Sequence, residues 1–185
     1  MSIRTFLTYS LPLMAVMAAG PVMAGTPTAE AAAAALPMTV TAGPKGKASE
    51  PERHNVTQGT IGNGISLMAQ AGAQYSIIND PEKMDTTGVS IEVQLITVEM
   101  AQMTALPPGT VPTQTSDSPN GCHDRVEQVA GGMIAEHWCD TEVPSAEYVL
   151  RGGTVYVTVH VSNGSRADAR RIAEGVHATA SGQGS

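Results

Sequence analysis

From residue 88 onward, apolar and polar side chains alternate along the chain. Val89, Ile91, Val93 and Leu95 share one parity, and Ser90, Glu92 and Gln94 share the other. A repeat of two is the period of a half-buried β-strand. Ile96, Val98 and Met100 continue on the opposite parity, which predicts a bulge or a strand end buried on both sides. The alternation returns further on, where residues 148–151 and 154–161 flank Gly152-Gly153. Two glycines reach the positive-φ turn that suits a hairpin. In its second strand Val155, Val157, Val159 and Val161 share the core side, opposite Thr154, Tyr156, Thr158 and His160. Residues 133–139 predict another strand. Signals conflict upstream: 65–73 reads as a helix and 74–78 as a strand, behind a glycine-rich turn at Gly59, Gly62 and Gly64. Pro107, Pro108, Pro112 and Pro119 make residues 106–121 a long loop.

After Asn163-Gly164 the period changes to that of a helix. Ser165 with Asp168 three residues on has the spacing of a capping box. Ala169, Ile172, Ala173, Val176 and Ala180 then form one apolar stripe, with Arg166, Arg170, Arg171 and Glu174 elsewhere. Strand, hairpin and helix in that order predict an α+β fold, a small antiparallel sheet with a C-terminal helix packed on one face.

The N-terminal part reads differently. Arg4 is the only charge before Glu30, a short apolar run follows, and Val22-Met23-Ala24 offers small residues at an exit. These are the parts of a secretory signal over residues 1–24. Ser10, Pro12, Gly20 and Pro21 interrupt the run, against a spanning helix of about 20 apolar residues. Residues 25–58, with an alanine run at 31–35 and four prolines, read as a flexible tether in which the alanines form a helical turn or two at most. Residues 59–185 are then a single α+β domain. Export implies a periplasmic or secreted location, with no membrane span after signal cleavage.

Composition narrows the function. Ten Lys plus Arg stand against seventeen Asp plus Glu, a formal net charge of -7. That balance argues against nucleic acid, whose phosphates call for a cationic surface. Removal of the leader leaves Tyr75, Trp138, Tyr148 and Tyr156 as the aromatic residues, too few for a broad stacking platform. Twelve acidic and two basic residues lie between Asp80 and Glu147, and four arginines follow. Such a dipolar molecule is steered toward a cationic partner, although a solvated, charge-solubilised surface explains the same pattern.

The chemistry-bearing residues gather around the two cysteines. Cys122 and Cys139 predict a disulfide in an oxidising compartment. The alternative is a tetrahedral metal set, since Cys122-His123 and His137-Trp138-Cys139 offer two thiolates and two imidazoles. Adjacent residues of a strand point to opposite faces, which opposes that set. The expectation is therefore a crosslink, with no metal and no cofactor. Met68, Met84, Met100, Met103 and Met133 read as core filling rather than copper ligands.

His123, Asp124, Glu136, His137 and Asp140 are the candidates for acid–base work near the closed disulfide. No G-x-S-x-G or H-E-x-x-H motif accompanies them. His160 reads as a solvent-facing strand residue and His177 as a helix-flank one. The sequence therefore favours a small exported binding or accessory domain that recognises a protein or small ligand. A small hydrolase using His123 or His137 with nearby carboxylates, or a metal-binding protein, is the alternative.

Overall fold

The valine-rich alternation builds the centre of a large antiparallel sheet. A computed structural model describes residues 26–42, 46–61, 64–129 and 132–182; the expected secretory segment, 1–24, lies outside them. The strands are β1 (Lys47–Ala48), β2 (Glu52–Ile61), β3 (Ile65–Asp80), β4 (Asp85–Ile96), β5 (Gln114–Asp117), β6 (Cys122–Val129), β7 (Gly132–Cys139), β8 (Ser145–Gly152) and β9 (Val155–Ser162). The helices are α1 (Ala29–Ala35), α2 (Val98–Thr104) and α3 (Arg166–Gly182).

Two antiparallel meanders, β2-β3-β4 and β5-β6-β7-β8-β9, join through the β4–β9 pair. The order across the sheet is β1-β3-β4-β9-β8-β7-β6-β5, and β2 shares with β1 the outer edge of β3. The sheet is thus nine-stranded, not small, and it dominates the fold. A C-terminal helix on one face is present as expected.

The core lies between one sheet face and helices α1 and α3. Val89, Ile91, Val93 and Leu95 of β4 and Val155, Val157, Val159 and Val161 of β9 are buried there. Ala169, Ala173, Val176 and Ala180 of α3 cover them, with Ile172 partly buried beside. Ser165 caps α3: its Oγ accepts from the Asp168 N–H at 3.1 Å, and Asp168 Oδ2 accepts from the Ser165 hydroxyl at 2.6 Å.

Several expectations are corrected. The supposed tether contributes α1, whose Ala32, Ala33 and Ala35 are buried with Leu36. Thr28 Oγ1 caps it by accepting from Ala31 N–H, and the Ser66 hydroxyl donates to the Pro27 carbonyl. Residues too small to make a core alone fill the close space between sheet and α3, and that contact stabilises a helix too short to persist in water. Residues 52–58 of the same stretch belong to β2.

Residues 65–73 are strand, not helix. Ala69, Ala71 and Ala73 alternate beneath the helices, and β3 is hydrogen-bonded on both edges. Pairing on two sides overrides the helical preference of alanine. Val98 and Met100 belong to α2 rather than to a strand end, because the Thr97 hydroxyl oxygen caps the helix at Met100 N–H. The proline-rich loop contains β5, paired with β6.

Candidate functional site

Helices cover one sheet face; the other is open. Successive registers place Glu52, Gln74, Ser90, His160, Glu147, His137, Asp124 and Ser116 side by side in one row across eight strands. Every member is exposed. This parity is opposite to that of the core valines, so the row lies on the face away from α1 and α3. The neighbouring row runs Ser76, Gly88, Ser162, Ser145, Cys139 and Cys122. Its small side chains keep the floor low.

A cavity of about 430 Å³ opens at one end of these rows. Glu50, Glu52, Gln74, Ser76, Ser90 and His160 contribute to its walls. At the far strand ends, the connection from β4 to β5 crosses the open face. Thr104 Oγ1 lies 2.9 Å from the Tyr156 hydroxyl, and the Gln128 amide donates to the Leu106 and Pro107 carbonyls.

Charge distinguishes the two faces. On the helical face, Arg166, Arg170 and Arg171 pair with Glu136, Glu174 and Asp168. On the open face Glu92 and Glu147 make no ion pair among the described residues, nor does Glu50 at the cavity. Arg151 lies over the Tyr156 ring, 5.5 Å from its centroid, rather than against a carboxylate. The open face is therefore acidic, with Glu50, Glu92 and Glu147 outside the ion pairs found among the described residues.

The cysteines form the expected disulfide, directly opposite one another on β6 and β7 with Cα atoms 4.0 Å apart. The next pair outward, Gly121 and Asp140, is joined by a 2.9 Å backbone bond, so the cysteines occupy a non-hydrogen-bonded position where side chains approach closely.

The candidate acid–base residues do not converge. The register pairs His123 with Trp138 and Asp124 with His137, so the two histidines emerge on opposite faces. His123 stacks on Trp138 with centroids 5.0 Å apart, and its Nδ1 lies 2.6 Å from Asp117 Oδ1. Asp140 Oδ2 is 3.6 Å from its Nε2. Glu136 is buried beneath α3 and held by Arg166, whose guanidinium also lies 4.2 Å from the Trp138 ring centroid. The two histidines therefore do not share one site.

His137 is on the open face. Its Nδ1 lies 2.7 Å from Asp124 Oδ1 and its Nε2 3.6 Å from Cys139 Sγ. The hydrogen bond with His137 holds the Asp124 carboxyl below the usual carboxylate range. Ser116 Oγ bonds Asp124 at 3.2 Å. The serine thus touches the acid rather than the imidazole, and a Ser-His-Asp relay is not formed. The potential ligand atoms of Cys122, His137 and Cys139 lie within 4.8 Å of one another, but a bonded sulfur pair supplies no thiolate. His123 cannot complete that set from the other face.

Asp117, Glu147 and Arg166 stand beside the candidate residues, although nothing in their sequence pattern marks them. A signal for the histidines existed in the two cysteines. Pairing Cys122 with Cys139 across one hairpin fixes the register of β6 on β7, and with it the face of each histidine. His160 is solvent-facing, as expected. His177 is half-buried rather than flanking: its Nε2 lies 3.4 Å from the Gly152 carbonyl, and burial lowers its pKa. Comparison with family models, curated proteins and solved structures finds no match to the chain.

Proposed function

We propose that the protein is an exported binding domain that uses the open face of its sheet to recognise a basic segment of a partner protein. The observation that carries this reading is the uncovered polar row from Glu52 to Ser116, flanked by carboxylates without ion pairs. A flat sheet face with repeating polar positions offers side chains at regular spacing of about 4.8 Å between strands. Carboxylates on such a face attract lysine and arginine at long range and add hydrogen bonds at contact. The hydroxyl- and carboxylate-lined cavity at one end gives room for one cationic side chain. The disulfide, and described helices none of which is long and apolar enough to cross a membrane, support a periplasmic or secreted site of action.

Titration of the isotope-labelled protein with an oligolysine peptide, followed by amide chemical shifts, tests the reading. Shifts are expected on β4, β7, β8 and β9 and at residues 50–52, fading at high salt and in Glu92→Lys/Glu147→Lys. Shifts concentrated on α3, or none at all, would overturn it.

A further inference from the structure

The disulfide has an asymmetric environment that a purely structural crosslink does not require. Both cysteines lie on the open face in a row otherwise made of Ser and Gly, and each is partly exposed. Only one of them faces an imidazole at contact: Cys139 Sγ lies 3.6 Å from His137 Nε2. The other nitrogen of that ring is bound to Asp124 at 2.7 Å. With Nδ1 held by the carboxylate, the ring is oriented so that a proton on Nε2 points at the sulfur. Carboxylate, imidazole and sulfur form a line across β6 and β7. His123, the other histidine beside the pair, is on the opposite face against Trp138.

We propose that Cys122–Cys139 is an exchangeable disulfide, opened by small dithiols with Cys122 as the attacked sulfur and Cys139 as the leaving thiolate. A reductant thiolate attacks Cys122 Sγ, forming a mixed disulfide as the Cys122–Cys139 bond breaks. Cys139 departs with the electron pair and takes the Nε2 proton of His137, which regains one from water. The second thiolate of the reductant attacks the reductant sulfur in the mixed disulfide. That closes the reductant's own disulfide and releases Cys122 as a thiolate, protonated by solvent. Two electrons pass from the dithiol to the protein, and the protein gains two S–H bonds. Thiol–disulfide exchange is faster when the leaving sulfur is the better stabilised thiolate, which fixes the direction of opening. Asp124 acts as a positioning residue through His137.

The direction is read by opening the folded protein with glutathione, capping the freed thiol with an alkylating reagent and mapping both labels by mass spectrometry. Glutathione is expected on Cys122 over Cys139 by about ten-fold. In His137→Gln the preference should collapse toward equal labelling and opening by dithiothreitol should slow by about ten-fold, with His123→Gln unchanged. Asp124→Asn should move the labelling in the same direction. Equal labelling of the native protein, or labelling mainly at Cys139, would overturn the proposal. So would a His137→Gln variant that keeps the native distribution and rate. Should His137→Gln fail to fold, the distribution in the native protein decides alone.

Discussion

Glu136 and Arg166 form a two-pronged ion pair that pins the first turn of α3 to the middle of β7. Arg166 Nε donates to Glu136 Oε1 at 2.9 Å and Nη2 donates to Oε2. The Glu136 side chain is 4% exposed and the Arg166 side chain 34%. Beside it the Tyr148 hydroxyl is buried with no hydrogen-bond partner among the described residues, and burial pushes its pKa up to about 12. The buried charge therefore depends on Arg166 for compensation.

Arg166→Leu leaves that carboxylate buried and unpaired. The unfolding free energy is expected to fall by about 3 kcal/mol, at the low end for a buried pair because the arginine is partly solvated. The double variant Glu136→Leu/Arg166→Leu should recover most of the loss. Urea titration of the three proteins measures it, and a double variant as weak as the single one would refute the account.

Leu36 is 2% exposed, although it follows an alanine run that reads as tether. Leu36→Ala is expected to destabilise the protein by about 2–4 kcal/mol, whereas in a flexible segment it would change almost nothing. Thermal unfolding separates the two outcomes directly.

Gly132 and Gly152 are paired across β7 and β8 but meet different obstacles. A Cβ on Gly132 would overlap the Arg151 carbonyl oxygen, a backbone atom that cannot turn aside. On Gly152 it would lie 2.7 Å from His177 Nε2, on a ring that can rotate. Gly132→Ala should cost about 1–3 kcal/mol, and Gly152→Ala clearly less. Equal losses in denaturant titrations would contradict the difference.

His177 also gives the protein a pH dependence. Burial holds its pKa below the ordinary 6.5, with the Gly152 carbonyl a smaller opposing influence. Between the unfolded and the lower native pKa, the unfolded chain binds more protons, so stability falls as the pH drops below about 6.5. Asp168 has a lowered pKa, chiefly through the Ser165 hydroxyl, and its contribution is lost in a separate window below about 4. His177→Gln should flatten the first window in melting temperature against pH and leave the second. A persistent slope near pH 6 in that variant would place its origin elsewhere.

Local patterns made part of this fold legible. Val155 to Val161 alternate so strictly that their strand and its buried side follow from spacing alone, and Ser165 with Asp168 marks where α3 begins. Residues 65–73 are ambiguous in the sequence because alanine suits helix and strand alike, and only partners on both edges decide between them. The site was legible as a set of residues, not as an arrangement. His123 and His137 look like a pair in the chain because both neighbour the cysteines, but strand parity separates them.

The sequence by itself determined which segments alternate, that a glycine-containing turn joins β8 to β9, how α3 is capped and which two sulfurs join. Each of these depends on neighbours within a few residues, or on there being only two cysteines. Tertiary structure alone decided the width of the sheet, the burial of α1, and the row that brings Glu52 and Ser116 onto one acidic face. Those follow from pairing between distant strands, whose hydrogen bonds fix register and thereby choose the face on which each side chain emerges.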